Sequence, residues 1–194
     1  MTVTATPPAG VHPADRAQDE LVVLLTPEGL PVGTARKAEV HGPSTPYHLA
    51  FSCYVFDRLG RLLVTRRADS KLTWPGVWTN SCCGHPGPGE PVAAAVRRRL
   101  DEELGLVADE LRLVLPDFSY RASLHGVEEH ELCPVFLARV DAEPVPEPSE
   151  VGAVAWSTFE AFRERAARPG SDLSPWARMQ ADQLGPHVER FLAG

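Results

Sequence analysis

The stretch Cys82-Cys83-Gly84-His85-Pro86-Gly87-Pro88-Gly89-Glu90 runs directly into Pro91-Val92-Ala93-Ala94-Ala95-Val96-Arg97-Arg98-Arg99-Leu100-Asp101-Glu102-Glu103-Leu104-Gly105-Leu106. Its first half carries two thiols, an imidazole and turn-forming glycines and prolines. Its second half places Ala93, Val96, Leu100 and Leu104 on one stripe at helical spacing, with Gly105 as the C-terminal stop. The pattern predicts a loop of reactive groups feeding a charged helix. Around that helix Glu90, Glu102 and Glu103 sit beside Arg97, Arg98 and Arg99. Carboxylates next to a glycine loop suit a hard cation carrying a phosphorylated ligand. A solvated face with i,i+4 pairs, Arg98 with Glu102 and Arg99 with Glu103, accounts for the same charges.

The spacing separates these readings. Gly84, five residues, Glu90, seven residues, Arg98, then Leu100, Glu102, Glu103, Gly105 and Leu106 resembles the Nudix box, a diphosphate-and-metal motif. Arg99 stands where that box normally has a catalytic glutamate, which argues against a hydrolase.

At 194 residues, 43% apolar and 23% charged, the chain suits one soluble domain. A net charge of -7 offers no electrostatic footprint for nucleic acid. No apolar run approaches the roughly 20 residues that span a bilayer, so no membrane is expected as a partner. An anionic substrate therefore has to be held by local cations or metal. Residues 1–20 lack a signal-peptide pattern and are expected as a disordered arm before a single domain over residues 21–194. Four cysteines, two of them adjacent, make a poor disulfide framework and point to the reducing cytoplasm. A monomer is expected.

Leu21 to Leu25 and Leu30 to Ala35, separated by turn residues, predict an opening hairpin, followed by a polar connection through Lys37 and His41. Tyr47 to Asp57 reads as one strand with both faces largely buried. Arg61 to Arg67 predicts a strand ending on two arginines, and Lys71 to Asn80 an ordered aromatic loop. Leu111 to Leu115, Asp117 to Arg121 and Glu129 to Leu137 read as extended, with Pro134 arguing for a bulge or an edge. An extended connector over Ala142 to Glu150 follows, then a strand over Ala153 to Trp156. Helices are expected over Thr158 to Ala167 and over Pro175 to Leu184, the latter ending before Gly185 and Pro186.

On an extended segment Glu129 and Glu131 share a face and His130 points away. An exposed edge face accounts for a lone Glu-x-Glu, but His41, His48 and His85 are available to join it. Together they make a nitrogen and oxygen donor set suited to zinc, manganese or iron. Cys83 reads either as a buried inert thiol or, in a Gly and His rich loop ahead of a helix, as a thiol of lowered pKa. A structural zinc knuckle lacks a matching Cys-x-x-Cys pair.

Tyr47-His-Leu-Ala-Phe-Ser, Trp74-Pro-Gly-Val-Trp-Thr-Asn-Ser-Cys-Cys-Gly-His-Pro, Glu129-His-Glu-Leu-Cys-Pro-Val-Phe and Ser174-Pro-Trp together resemble the type I isopentenyl diphosphate isomerases, from about Val22 to Leu184. The resemblance implies an α/β Nudix-like fold, with mixed central sheets flanked by helices. It also implies conversion of isopentenyl diphosphate to dimethylallyl diphosphate, a small-molecule prenyl diphosphate, through a tertiary carbocation. His41, His48, His85, Glu129 and Glu131 match the ligands of a divalent metal, which could be manganese, magnesium or zinc. Cys83 matches the catalytic thiol, and Tyr120 and Glu131 the groups on the opposite face of the substrate. Lys37, Arg67 and Lys71 match cations that hold the diphosphate. Glu103 and the Cys83 carbonyl match contacts to a diphosphate-bound magnesium, and Trp176 the aromatic facing the cationic carbon. A Nudix hydrolase and a binding module without turnover are the rival readings.

Overall fold

The computed structural model describes residues 20–194, so the expected arm lies outside the described residues except for Glu20. The chain opens with the expected hairpin, β1 Leu21–Leu25 and β2 Pro31–Arg36, turning through Gly29 at φ 82°. The connection to His41 winds into one helical turn, α1 Lys37–Val40. The Tyr47 to Asp57 stretch is not one strand but two, β3 His48–Leu49 and β4 Phe51–Phe56. Then come β5 Leu62–Arg67, β6 Trp78–Thr79, β7 Cys82–Gly84, α2 Val92–Leu104, β8 Glu110–Leu115 and β9 Ser119–Leu124. The Glu129 to Leu137 stretch also divides, into β10 Val127–Leu132 and β11 Val135–Arg139. β12 Val151–Ser157, α3 Phe159–Ala167 and α4 Pro175–Ala193 complete the chain.

The two divided strands organise the architecture. One sheet runs β2-β1-β3-β10-β9, the other β12-β5-β4-β11-β8, with β6 added on β5 and β7 on β4. β3 pairs parallel with β10, and β4 pairs parallel with β11. Two neighbouring segments thus leave one sheet and enter the other side by side. Hydrogen bonds from Ala50 N to Leu132 O (2.8 Å) and from Ser52 N to Pro134 O (3.1 Å) hold them together through the crossing. Pro134, which has no N–H to give a ladder, falls at the break. It marks a change of sheet between interior strands rather than an edge, and the nearest bulge lies between Val135 and Phe136.

β4 is buried along its whole length. Tyr54 and Phe56 face a core closed by Phe162 of α3 and by Leu184, Val188 and Phe191 of α4. Phe51, Cys53 and Val55 face a second core, closed by Val96, Leu100 and Leu104 of α2. The expected α2 stripe is corrected at its start, where Ala93 is exposed and Ala95 is fully buried. Gly105, at φ 62°, ends that helix as expected. α4 does not end at Leu184 but continues through Gly185 and Pro186. A proline inside a helix costs about 3 kcal/mol. Burying Val188 and Phe191 returns roughly 1.5–3 kcal/mol each, so the core carries the helix past its breakers.

The expected reactive loop is also shorter than its composition suggests. Cys82, Cys83 and Gly84 form β7, paired antiparallel with β4 so that Cys83 lies opposite Ser52. Loop structure begins only at His85. A Cβ on Gly84 would come within 3.0 Å of Phe51 Cζ and of Arg99 Cγ, so only glycine fits between this strand and α2.

Candidate active site and metal centre

The crossing sets the site. Just before it, Tyr120, Glu131 and His48 are lateral neighbours across β9, β10 and β3. Just after it, Cys83 lies opposite Ser52. His48 and Ser52 are four residues apart on one chain, so the change of sheet brings imidazole, carboxylate, phenol and thiol to a common place.

His41 is the C-terminal cap of α1 and His85 follows β7. Ligand atoms of His41, His48, His85 and Glu131 all lie within 4.8 Å of one another, a group that could hold a metal ion. His48 Nε2 lies 3.2 Å from His85 Nε2, and both approach Glu131 Oε1, at 3.4 and 3.2 Å. His48 Nδ1 lies 2.9 Å from the Pro46 carbonyl, so in the neutral ring it carries the proton and Nε2 keeps its lone pair for the cluster. Glu129 Oε2 comes to 3.0 Å from His41 Nε2, yet both atoms are buried without a hydrogen-bond partner. Such orphaned atoms are costly unless something further satisfies them. A divalent cation with nitrogen and oxygen ligands fits this donor set. His130, as expected, points elsewhere and packs on Tyr47 at 4.8 Å between ring centroids.

Burial pushes the Glu131 carboxyl up, but the adjoining His48 and His85 imidazoles outweigh it and hold the group well below the usual range. Burial, reinforced by the Glu131 charge, raises Glu129. The second oxygen of Glu131 accepts from the Tyr120 hydroxyl at 2.8 Å. Tyr120 packs on Trp176 at 5.6 Å between centroids, and Trp176 meets the edge of Trp74 at 5.3 Å. The Trp176 indole N–H and the Cys83 thiol both bond to Asn80 Oδ1 at 3.1 Å.

The thiol overturns one expectation. Burial pushes Cys83 up to about 11, although the Ser52 hydroxyl beside it pulls the other way. Cys83 sits on a strand and not at a helix N-terminus, so no helix dipole favours its thiolate.

The Nudix-box charges do other work. Arg98 binds Glu90 through two 2.9 Å hydrogen bonds and reaches the His85 carbonyl at 3.3 Å, while Glu90 accepts from Gly87 N at 2.8 Å. The pair staples the loop that carries His85 onto α2. Arg99 is buried and bonded to Glu103 at 2.5 Å, Glu102 at 3.1 Å and Glu150 at 3.2 Å, with Glu20 at 3.8 Å. The i,i+4 pairs exist as expected, but Arg99 with Glu103 lies on a buried face. Glu103 is thus paired with Arg99 and is not one of the four residues whose ligand atoms gather at the histidines.

Of the three cations expected at the diphosphate, Lys37 binds Glu20 at 2.5 Å and Lys71 binds Glu150. Arg67 donates to Thr73 O, Thr73 Oγ1 and Trp74 O, which fixes the aromatic loop. A cavity of about 330 Å³ opens beside the cluster, with His85, Glu20, Gly87, Glu90 and Arg98 in its wall. Trp176 and Tyr120 are 3% and 8% exposed.

Sequence reasoning missed Asn80, Ser52 and Gln180. Gln180 donates to Ser52 Oγ at 3.0 Å and accepts from Tyr54 at 2.8 Å, and Ser52 Oγ lies 3.5 Å from Cys83 Sγ. Asn80 and Ser52 sit inside the motifs quoted above, yet amide and hydroxyl groups give no periodic signal. Glu20 and Glu150, which occupy two expected substrate cations, gave none either.

A family model described as NUDIX domain matches residues 46–177. A relative from Frankia alni called "Isopentenyl-diphosphate Delta-isomerase" is 54% identical over 168 residues, 86% of this chain and 87% of that one. One of the same name from Saccharopolyspora erythraea is 52% identical, covering 85% and 86%. Another, from Agromyces mediolanus, is 52% identical, covering 93% and 89%. Among solved structures, a Deinococcus radiodurans protein superposes with a TM-score of 0.66 at 22% identity, covering 84% of this chain and 98% of its own. A MutT NUDIX hydrolase from Burkholderia pseudomallei gives 0.55 at 25% identity, covering 71% and 98%.

Proposed function

The chain belongs to the Nudix domain family, and within it to the isopentenyl-diphosphate Delta-isomerases, and from that premise we propose that it interconverts isopentenyl diphosphate and dimethylallyl diphosphate. The observation that carries the reading is the buried pairing of a thiol with a carboxylate across an aromatic lining. Cys83 and Glu131 are linked through Asn80, Trp176 and Tyr120.

The reaction is an exchange of protons. One of the two groups adds a proton to the terminal alkene carbon, and the alkene electrons form that C–H bond, leaving a tertiary cation. The other removes a proton from the neighbouring carbon, whose C–H electrons become the new double bond. Substrate and product have the same formula, and no oxidant or hydrolytic water is needed. An alkene is a very weak base, so the step requires a positioned acid and surroundings that exclude water. Trp176 offers its ring face to the cation, worth about 2 kcal/mol when desolvated.

We assign His41, His48, His85, Glu129 and Glu131 as holders of a divalent metal, with manganese, magnesium or zinc each compatible with the donors. When bound, it would supply positive charge that compensates the two carboxylates and fixes Glu131. Lys37, Arg67 and Lys71 are assigned to the substrate diphosphate, and Glu103 with the Cys83 carbonyl to its magnesium. Lys37 and Lys71 then exchange Glu20 and Glu150 for phosphate oxygens. The presence of Arg99 among the Nudix-box carboxylates supports isomerisation over hydrolysis. We further place the enzyme in the cytoplasm, in keeping with four free cysteines. Among the described residues no helix is long and apolar enough to cross a membrane.

The test is incubation of metal-loaded protein with isopentenyl diphosphate, separating product from substrate. Dimethylallyl diphosphate is the expected product. Release of inorganic phosphate without it would make the protein a hydrolase, and binding without turnover would make it a binding module.

A further inference from the structure

Asn80 is fully buried in the two-residue connection between β6 and β7. Its amide has one orientation. Nδ2 donates to the backbone carbonyls of Cys53 at 3.0 Å and Cys82 at 2.9 Å, and neither carbonyl could accept from an oxygen. Oδ1 is therefore turned the other way. There it accepts from Cys83 Sγ at 3.1 Å, Trp176 Nε1 at 3.1 Å and the Thr79 hydroxyl at 2.8 Å.

One oxygen thus joins the thiol of β7 to the indole that opens α4, two groups 93 residues apart in the chain (176 − 83). The anchor is itself held, since Thr65 Oγ1 donates to the Asn80 backbone carbonyl at 2.8 Å. The Thr79 hydroxyl that reaches Oδ1 also lies 2.8 Å from Ser174 Oγ, the N-cap of α4. A serine here would be too short to reach both partners. An aspartate would turn an oxygen toward the Cys53 and Cys82 carbonyls and bury a charge beside the thiol.

Resting on the isomerase reading above, we propose that Asn80 is the positioning residue that aims the Cys83 thiol and the Trp176 ring at the same substrate. A cysteine side chain has one heavy-atom torsion, and an acceptor at hydrogen-bond distance selects its rotamer. An indole pinned through its N–H and packed between Trp74 and Tyr120 keeps the orientation of its ring face. Both groups act only on the transition state, one by proton transfer and one on a cation. Loss of their common anchor should therefore fall on kcat and leave KM in place.

The test compares wild type, Asn80→Ala and Thr158→Ala, all loaded with manganese and assayed on isopentenyl diphosphate. Thr158 caps α3 through its hydroxyl to Ala161 N, so its loss lowers stability without touching the site. Expected for Asn80→Ala is a fall in kcat of about a hundred-fold, the scale of a misplacement near 1 Å, with KM within about two-fold. Metal content should equal that of wild type. Thr158→Ala should keep kcat. Asn80→Ser, which retains a small polar group, should show the same split and serves if the alanine variant folds poorly.

A wild-type rate in folded Asn80→Ala, or a change in KM alone, overturns the proposal. So does an equal loss of kcat in Thr158→Ala, or failure of both Asn80 variants to fold, either of which makes the role structural. An inactive wild type would instead overturn the isomerase reading itself, whereas an active wild type beside an unimpaired Asn80→Ala overturns this assignment alone.

Discussion

Two clusters of buried charge meet near Gly84 and His85, and the fold resolves them in opposite ways. Around Arg99 the chain supplies its own cation, and Glu102, Glu103 and Glu150 lie 2.5 to 3.2 Å from guanidinium nitrogens. Around His41, His48 and His85, the ion pairs of Glu129 and Glu131 among the described residues run only to imidazoles. Buried polar atoms there stay without partners. Removing charges from water costs several kcal/mol per ion unless each is met by a counter-charge and hydrogen bonds. The first cluster therefore has its counter-charge within the chain. The uncompensated one is open to a ligand, although it holds fewer carboxylates than the Arg99 cluster.

The comparison breaks most sharply on metal removal. Dialysis against a chelator should abolish turnover, with recovery on adding manganese or zinc, and His48→Ala should lose metal while keeping the fold. Atomic emission and circular dichroism check both, and full activity in chelator would show that the histidine cluster needs no cation. Next in size are the two groups proposed for proton transfer. Cys83→Ala and Glu131→Gln should each lower kcat by about 10³-fold or more, on the scale of lost acid–base catalysis. Cys82→Ala and Cys133→Ala should largely keep it, and an active Cys83→Ala enzyme would sink the two-group scheme.

A third test sharpens the other side. Burial alone would raise Glu150, but the charges of Arg99 and Lys71 hold it down to about 2, against an ordinary 4.5. A carboxylate with a depressed folded pKa stabilises the fold fully above its unfolded value, and that stability is lost as pH falls through the folded one. Wild type should thus exceed Glu150→Gln by about 2–3 kcal/mol at pH 7. Denaturant melts should show the gap closing between about pH 4.5 and pH 2, and a gap independent of pH would mean that the Arg99 cluster is not held by charge. Smallest is the effect of the ring. Trp176→Phe should stay active and Trp176→Leu should be poorer by about thirty-fold in kcat, from about 2 kcal/mol of cation–π stabilisation. Equal values in folded, metal-loaded variants would show that the ring acts by shape.

Legibility followed how local each signal was. The hairpin at Gly29, the αL stop at Gly105 and the helix expected over Thr158 to Ala167, which forms over Phe159–Ala167, are set by neighbouring residues and appear where the sequence places them. The two long strands through Ala50 and Pro134 were misread as continuous, since a change of sheet keeps the backbone extended and leaves the alternation of side chains almost intact. α4 outran Gly185 and Pro186 because Val188 and Phe191 have a core to enter, a fact held by distant residues.

The sequence by itself determined the cast: five donors with metal-ligand chemistry, a thiol, a phenol, an indole and an arginine in place of a glutamate. Residue types and spacings encode these, and resemblance is carried by types and spacings. Only the tertiary structure decided which charges are already answered and which are not. Arg99 with Glu103 and His48 with Glu131 look alike as pairs of opposite partners on paper. Burial and third neighbours separate them, since Arg99 brings a full, permanent charge into its cluster while His48 shares Glu131 with His85 at 3.2 Å. The same holds for the thiol, whose pKa was expected to fall in a loop and is raised to about 11 on a buried strand. Desolvation depends on everything packed around a group, which no stretch of neighbouring residues records.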